Sequence, residues 1–82
     1  MTYKQKYLKY FGYGEQDFVP CEICGKMAVD VHHIKYRSQG GKDNIENLMA
    51  LCRYHHNQAH NNKVHRQVFQ TRHEMFINAY KK

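Results

Sequence analysis

Two pairs of cysteine and histidine residues have the types and the spacing that bind metal ions in proteins. Cys21 and Cys24 are separated by two residues, and Cys52 stands at the same separation from His55. Structural zinc sites take four such ligands, often as two closely spaced pairs that join distant parts of a chain. The sequence therefore predicts a structural Zn²⁺ held by Cys21, Cys24, Cys52 and His55.

The identity of the fourth ligand is open from spacing alone. On a helix that advances about 100° per residue, Cys52 aligns roughly with His56 as well as with His55. Three free thiols buried as small apolar groups are the alternative to a metal site, but buried thiols have no reason to pair at this spacing. The odd count of three cysteines also argues against a disulfide framework and for a reducing compartment.

Four histidines lie in or beside the segment that the zinc would organise: His32, His33, His56 and His60. His56 and His60 are four residues apart, so on a helix both imidazoles share one face and can approach one cation. His32 and His33 are adjacent, and in a strand they point to opposite sides. One of them can therefore join a metal site while its neighbour stays available for proton transfer.

These side chains have to be positioned by elements that the apolar pattern and the glycines predict. Aromatic residues among lysines in 2–11, before Gly12, predict a basic amphipathic helix that covers one side of the core, with a position along a nucleic-acid backbone as the alternative. The β-branched segment 28–34 predicts a strand. After the glycine loop 38–44, residues 48–51 can pair back as a second strand.

Two further helices are predicted after the second strand. The first runs from residue 53 through Asn61 and breaks at the Asn61-Asn62 pair, because asparagine favours caps and turns. The second spans 64–80, and His65 and His73 within it lack a ligand pattern, which predicts surface or packing roles. The spacing assigns its core face to Val64, Val68, Met75, Phe76 and Tyr80, with Phe69 and Ile77 beside them.

Length and charge limit the class of protein. A chain of 82 residues forms one domain with a thin core, and such domains usually need a metal, disulfides or a partner subunit. The net charge of +6 favours a polyanionic partner, although a merely solvated basic surface gives the same count. No stretch is typical of a signal peptide or a membrane span, so we expect a cytoplasmic protein without a membrane partner.

Taken together, the motifs resemble those of the HNH, or ββα-metal, endonucleases, in the branch that contains a zinc knuckle. The resemblance covers about half of the chain, from Pro20 to His60, and rests on Asp30-Val-His32-His33-Ile34, Gly40-Gly41, Asn44, Asn47-Leu48, Leu51-Cys52 and His55-His56-x3-His60. It implies an α+β fold in which a two-stranded antiparallel hairpin and a helix form a small ββα-metal core, stapled by one structural zinc and flanked by N- and C-terminal helices. The expected single domain, 1–82, comprises a basic aromatic helix in 1–19, the knuckle and ββα-metal motif in 20–61 and the last helix in 62–82.

The resemblance also implies a role for each matching residue. His33 takes the position of the general base, and Asn47 that of the motif's asparagine, which holds the loop between the strands. His32, His56 and His60 take positions of ligands to a catalytic divalent cation, although many relatives have aspartate where this chain has His32. The knuckle departs from the usual second CxxC pair because it has Cys52 and His55, which keeps the fourth zinc ligand open.

The implied activity is hydrolysis of DNA phosphodiester bonds, in which the histidine base activates water and the cation, Mg²⁺, Mn²⁺, Ni²⁺ or Co²⁺, balances charge. An all-imidazole site should bind manganese, nickel, cobalt or zinc more tightly than magnesium. Because a base must be unprotonated, activity should rise with pH through about 6.5, the ordinary pKa of histidine. Lys35, Arg37 and Lys42 are expected to contact phosphates, with a solvated basic loop as the alternative.

Two other functions remain open from the sequence. A zinc module that binds nucleic acid without catalysis explains the charge and the knuckle but gives the four histidines no role. An interaction protein with purely structural metals predicts no metal-dependent nicking. Relatives of this size occur in phages, mobile elements and defence systems, so a second copy of the chain or a partner protein of a phage or mobile element is the expected means of cutting both strands.

Overall fold

The computed structural model describes residues 2–14, 16–61 and 63–81, without the side chains of residues 37, 61, 63–65 and 81. Short 3-10 turns cover Arg37–Gln39 and Ile45–Asn47. In chain order, the helices and strands are α1 (Tyr3–Phe11), β1 (Asp30–His33), β2 (Leu48–Leu51), α2 (Arg53–Asn61) and α3 (Lys63–Lys81). This arrangement confirms the expected α+β fold, a two-stranded hairpin with a helix after it and a helix on each flank.

The hairpin divides the interior into two cores. β1 and β2 pair antiparallel with His32 opposite Met49 and His33 opposite Leu48. Leu48 and Ala50 pack with the buried residues of α1, whereas Met49 and Leu51 pack with Cys52, Ala59 and Phe69 on the other side. Every residue of β2 is buried because side chains of a strand alternate between its two faces and both faces are covered.

The first helix packs against the sheet, as its amphipathic pattern predicts. Thr2 and Gln5 form a reciprocal capping box at its start, which satisfies backbone N–H groups that have no partner within the helix. Gly12 ends the helix in the left-handed region at φ 75°, a conformation that glycine adopts without strain. Tyr7 and Phe11 are buried, so this helix covers one core.

The core face assigned to the last helix is only partly correct: Phe76 packs against one core and Phe69 and Ile77 are buried, but three of its positions are exposed. Val68, Met75 and Tyr80 are 50 to 64% exposed, and the side chain of Val64 lies outside the part of the chain that the structure describes. The buried positions are Phe69, His73 and Ile77, which are four residues apart and therefore lie on one helical face. Phe69 reaches one core and Ile77 the other.

A buried ion pair explains why a histidine stands on that face. The Nδ1 atom of His73 lies 2.5 Å from a Glu22 carboxylate oxygen, and its Nε2 lies 2.6 Å from the carbonyl oxygen of Ile45. Both partners are acceptors, so the geometry fits a protonated imidazole that donates from both nitrogens. His73 is thus a packing residue, one of its two expected roles; the side chain of His65 lies outside the described residues.

Candidate active site and metal centres

The zinc knuckle residues converge where the hairpin meets α2. Cys52 follows β2 directly, and His55 lies in the first turn of α2. The Cys52 sulfur lies 3.3 Å from His55 Nδ1 and 3.7 Å from the Cys24 sulfur, and the Cys21 sulfur lies 3.7 Å from His55 Nδ1. Zinc bonds of about 2.0 to 2.3 Å in a tetrahedron place ligand atoms roughly 3.3 to 3.8 Å apart, so these four side chains can hold one zinc ion.

The electrostatics of the knuckle also suit a cation. Burial raises the pKa of the Cys52 thiol, but hydrogen bonds from the backbone and the ring of His55 outweigh this effect and lower the pKa to about 6. The lowered pKa favours the thiolate, which is the form that binds zinc. His55, not His56, stands among the cysteines, because the two adjacent rings leave the helix in different directions.

A second cluster joins three imidazoles across the β1–α2 contact. His32 comes from β1, and His56 and His60 occupy successive turns of α2. The ring of His32 lies 5.3 Å from that of His56 and 5.0 Å from that of His60, measured between centroids, and the Nε2 atoms of His56 and His60 are 3.2 Å apart. Metal–nitrogen bonds of about 2.1 Å imply nitrogen separations of roughly 3.0 to 3.4 Å, so the cluster also fits one cation.

Burial disfavours the protonated form of two rings in this cluster. Burial, together with the charges of His60 and His56, lowers the pKa of His32 to about 4. The pKa of His56 is likewise lowered, first by burial and then by His60, although Asp30 opposes the change. Neutral imidazoles have the free lone pairs that a metal ligand requires.

His33 lies beside this cluster on a different face of β1. Its ring packs against that of Tyr3 at 4.6 Å between centroids, and its Nε2 lies 2.7 Å from an Asp43 carboxylate oxygen. An open cleft of about 230 Å³ is lined by His33, the three clustered histidines, Tyr3, Asp30, Val31 and Tyr36. The histidine predicted to be the base and the cluster that could hold a cation therefore share one solvent-accessible cleft.

Asn47 closes the loop between the strands with three hydrogen bonds. Its side-chain oxygen accepts from the Lys35 backbone N–H at 2.7 Å, and its amide nitrogen donates to the carbonyl oxygens of Lys35 and Lys42 at 3.0 and 2.8 Å. Gly41 lies so close that a Cβ built on it would stand 1.8 Å from the Lys35 carbonyl oxygen. A side chain at this position would thus force the two ends of the loop apart.

The basic residues of the loop are only partly described. Lys35 and Lys42 are exposed, and the side chain of Arg37 lies outside the described residues. Arg66, which the sequence did not single out, lies with its guanidinium 4.9 Å from the centre of the Tyr36 ring and donates to Gln39. Positive charge therefore continues from the loop to α3 beside the cleft.

Two polar contacts of the site have no signal in the sequence. Asp43 reaches His33 across ten residues, and Tyr36 places its hydroxyl 3.0 Å from His60 Nδ1, across 24 residues. With Nδ1 engaged by Tyr36, the Nε2 atom of His60 remains for a cation, an arrangement common among ligating histidines. Neither contact follows a helical or strand period, so only the folded loop brings these pairs together.

Comparison with known proteins is consistent with this geometry. The family model "HNH endonuclease" matches residues 21–62, half of the chain, and the chain belongs to this family. Members of this family are generally nucleases.

A relative from Escherichia coli (strain K12), "Uncharacterized protein YdfU", is 40% identical over 48 residues, which cover 55% of this chain and 14% of that protein. The chain thus spans about one seventh of the length of this relative. No solved structure matches significantly. Among the described helices, none has the length and apolar character needed to span a membrane.

Proposed function

We propose that this chain is a metal-dependent DNA endonuclease that hydrolyses phosphodiester bonds with His33 as general base and one divalent cation. The observation that carries the proposal is the shared cleft, in which His33 lies beside the cluster of His32, His56 and His60. Hydrolysis needs a proton acceptor for the attacking water close to positive charge on the phosphate, and this cleft places His33 beside three side chains that could hold a cation.

The cluster supplies the ligands for the cation. His32, His56 and His60 would hold Mg²⁺, Mn²⁺, Ni²⁺ or Co²⁺, with the three softer ions bound more tightly than magnesium because all three protein ligands are nitrogens. When bound, such an ion offsets the negative charge that develops on the phosphate and the leaving oxygen. The neutral state of His32 and His56 favours this role, since a protonated ring repels a cation.

The remaining residues act on water and on the DNA backbone. His33 takes a proton from the attacking water, and Asn47 keeps the loop opposite β1 in place. Lys35, Arg37 and Lys42 contact phosphates that flank the cut, and each contact adds about one unit to the slope of log affinity against log salt. Cys21, Cys24, Cys52 and His55 hold a structural Zn²⁺ that joins the start and the end of the hairpin unit.

Plasmid nicking tests the proposal. Purified protein is incubated with supercoiled plasmid and each of the four cations, beside His33→Ala and His56→Ala. We expect conversion to nicked or linear DNA only with a cation, and a loss of about 100-fold or more in rate for His33→Ala with DNA affinity retained. Undiminished cleavage by His33→Ala contradicts the assignment of the base.

Two results would favour other functions. DNA binding without nicking under any cation would indicate a zinc-stabilised binding module. Neither binding nor nicking would indicate an interaction protein. Light scattering measures the oligomeric state under the conditions of double-strand cleavage. A dimer would indicate that a second copy supplies the other active site, and a monomer would indicate that a phage or mobile-element protein has to supply it.

A further inference from the structure

Asp43 is the one carboxylate that a described contact joins to His33. The Asp43 oxygen and His33 Nε2 are 2.7 Å apart, and the two side chains are only 26% and 13% exposed. A charge-assisted hydrogen bond of this length is strong, and partial burial protects it from competition with water. Asp43 lies on the loop between the strands and His33 at the end of β1, so this bond crosses from loop to sheet.

The loop around Asp43 is held rigidly by its neighbours. The carbonyl of Lys42, the preceding residue, accepts from the Asn47 amide at 2.8 Å, and the same amide group binds the backbone of Lys35 just after β1. Gly41 fits against the Lys35 carbonyl only because it has no Cβ. Asn47 therefore fixes the position of Asp43 relative to the strand that carries His33.

We propose that Asp43 is a positioning residue that holds His33 in the tautomer protonated on Nε2, so that Nδ1 is the nitrogen that accepts a proton. An ionised carboxylate only accepts hydrogen bonds, so the ring nitrogen facing it must donate, and a neutral imidazole then has its lone pair on the other nitrogen. The Tyr3 ring, 4.6 Å from that of His33 between centroids, restricts rotation of the imidazole. The catalytic consequence of this inference rests on the proposed function. Asn47 would then act on His33 indirectly, because it fixes the position of Asp43.

The carboxylate also fixes the orientation of the proposed base. A carboxylate placed in this way holds the imidazole in one tautomer and one orientation, as in hydrolases with a serine, histidine and aspartate triad. Loss of Asp43 should therefore reduce turnover and leave DNA binding nearly unchanged.

The first test measures the tautomer directly, by nitrogen-15 NMR of histidine-labelled full-length chain with one equivalent of Zn²⁺ at a pH where the ring is neutral. His33→Ala identifies the resonances. We expect a proton on Nε2 that exchanges slowly with solvent because it is hydrogen-bonded. Nδ1 should have the chemical shift of an unprotonated nitrogen. Asp43→Ala should broaden the Nε2 proton signal and mix the tautomers. The control Glu74→Ala, which removes one exposed carboxylate on α3, should leave them unchanged.

The second test separates positioning from folding. Relative to Glu74→Ala, we expect Asp43→Ala to lower kcat by at least about 10-fold, within the 10²- to 10⁴-fold contribution of a general base. KM, the melting temperature and the Ni²⁺ affinity of the histidine cluster should change little.

A proton on Nδ1 in the unmodified chain, or identical spectra for Asp43→Ala, would overturn the proposal. An unchanged kcat with the Nε2 proton lost would overturn its catalytic part. If the unmodified chain cuts no DNA, the proposed function fails, and the spectra still show which His33 nitrogen carries the proton in the presence of Asp43.

Discussion

Substitution of His73 by leucine removes one half of the buried ion pair between α3 and the knuckle. The side chains of Glu22 and His73 are both 0% exposed. Glu22 also accepts from the Tyr7 hydroxyl at 2.5 Å and from the backbone N–H of Ala50 at 3.3 Å. After His73→Leu, the carboxylate would keep these two neutral donors but lose its cation, and the Ile45 carbonyl would lose its donor.

The expected cost is a large part of the stability of the chain. Removing one partner of a buried ion pair costs about 3 to 5 kcal/mol because the other charge remains buried. A domain of 82 residues has a free energy of unfolding of roughly 4 to 12 kcal/mol, at about 0.05 to 0.15 kcal/mol per residue. His73→Leu should therefore remove at least about a quarter of this free energy of unfolding, although it touches neither metal site.

The pH dependence of this loss follows from the pKa of His73. Burial lowers that pKa, but the hydrogen bond and charge of Glu22 raise it more, to above the ordinary value. A raised pKa in the folded state means that the folded chain binds more protons, so the contribution is complete below about pH 6.5 and is lost as pH rises through the folded pKa. The difference between the unmodified chain and His73→Leu should be largest near pH 6 and smaller at higher pH.

Urea denaturation with saturating Zn²⁺, followed by circular dichroism at several pH values, measures this difference. A double variant, Glu22→Gln with His73→Leu, should recover at least about 1 kcal/mol over the single variant because no buried charge remains. A loss below about 1 kcal/mol, or a difference that grows with pH, would refute the account of a buried ion pair.

Three further predictions concern the loop and the metal sites. Gly41→Ala should lower the free energy of unfolding by roughly 2 kcal/mol or more, because its Cβ would lie 1.8 Å from the Lys35 carbonyl oxygen. An unchanged urea denaturation midpoint and an unchanged nicking rate would contradict this. Tyr36→Phe should weaken Ni²⁺ binding about 10-fold by calorimetry, and equal affinity would show that the bond to His60 Nδ1 does not orient this ligand. Removal of Zn²⁺ by a chelator should abolish cooperative unfolding because ligation and folding are coupled in such small domains. Cys52→Ser should show the same loss without chelator. An unchanged melting curve after chelation would exclude a structural zinc.

The spacing of residues within single elements was sufficient to predict much of the fold. The two residues between Cys21 and Cys24, the four-residue step from His56 to His60 and the alternation around His32 each depend on the period of one element. The structure follows these expectations with only small changes of boundary; the first strand, for example, is Asp30–His33 and not 28–34. Such periods are properties of the backbone, so they can be read without knowledge of the rest of the molecule.

Only the tertiary structure decided which side chains of each helix face the knuckle and the core. Spacing favoured His55 for the knuckle but left His56 as an alternative, and only the direction from which the cysteines approach α2 separates them. The apolar pattern of α3 gave Val68 and Met75 to the core, but the fold buries His73 because Glu22, 51 residues away, offers it a charge. Contacts between distant segments, such as Asp43 with His33, depend on how loops and helices pack in three dimensions, and no periodicity in the sequence records them.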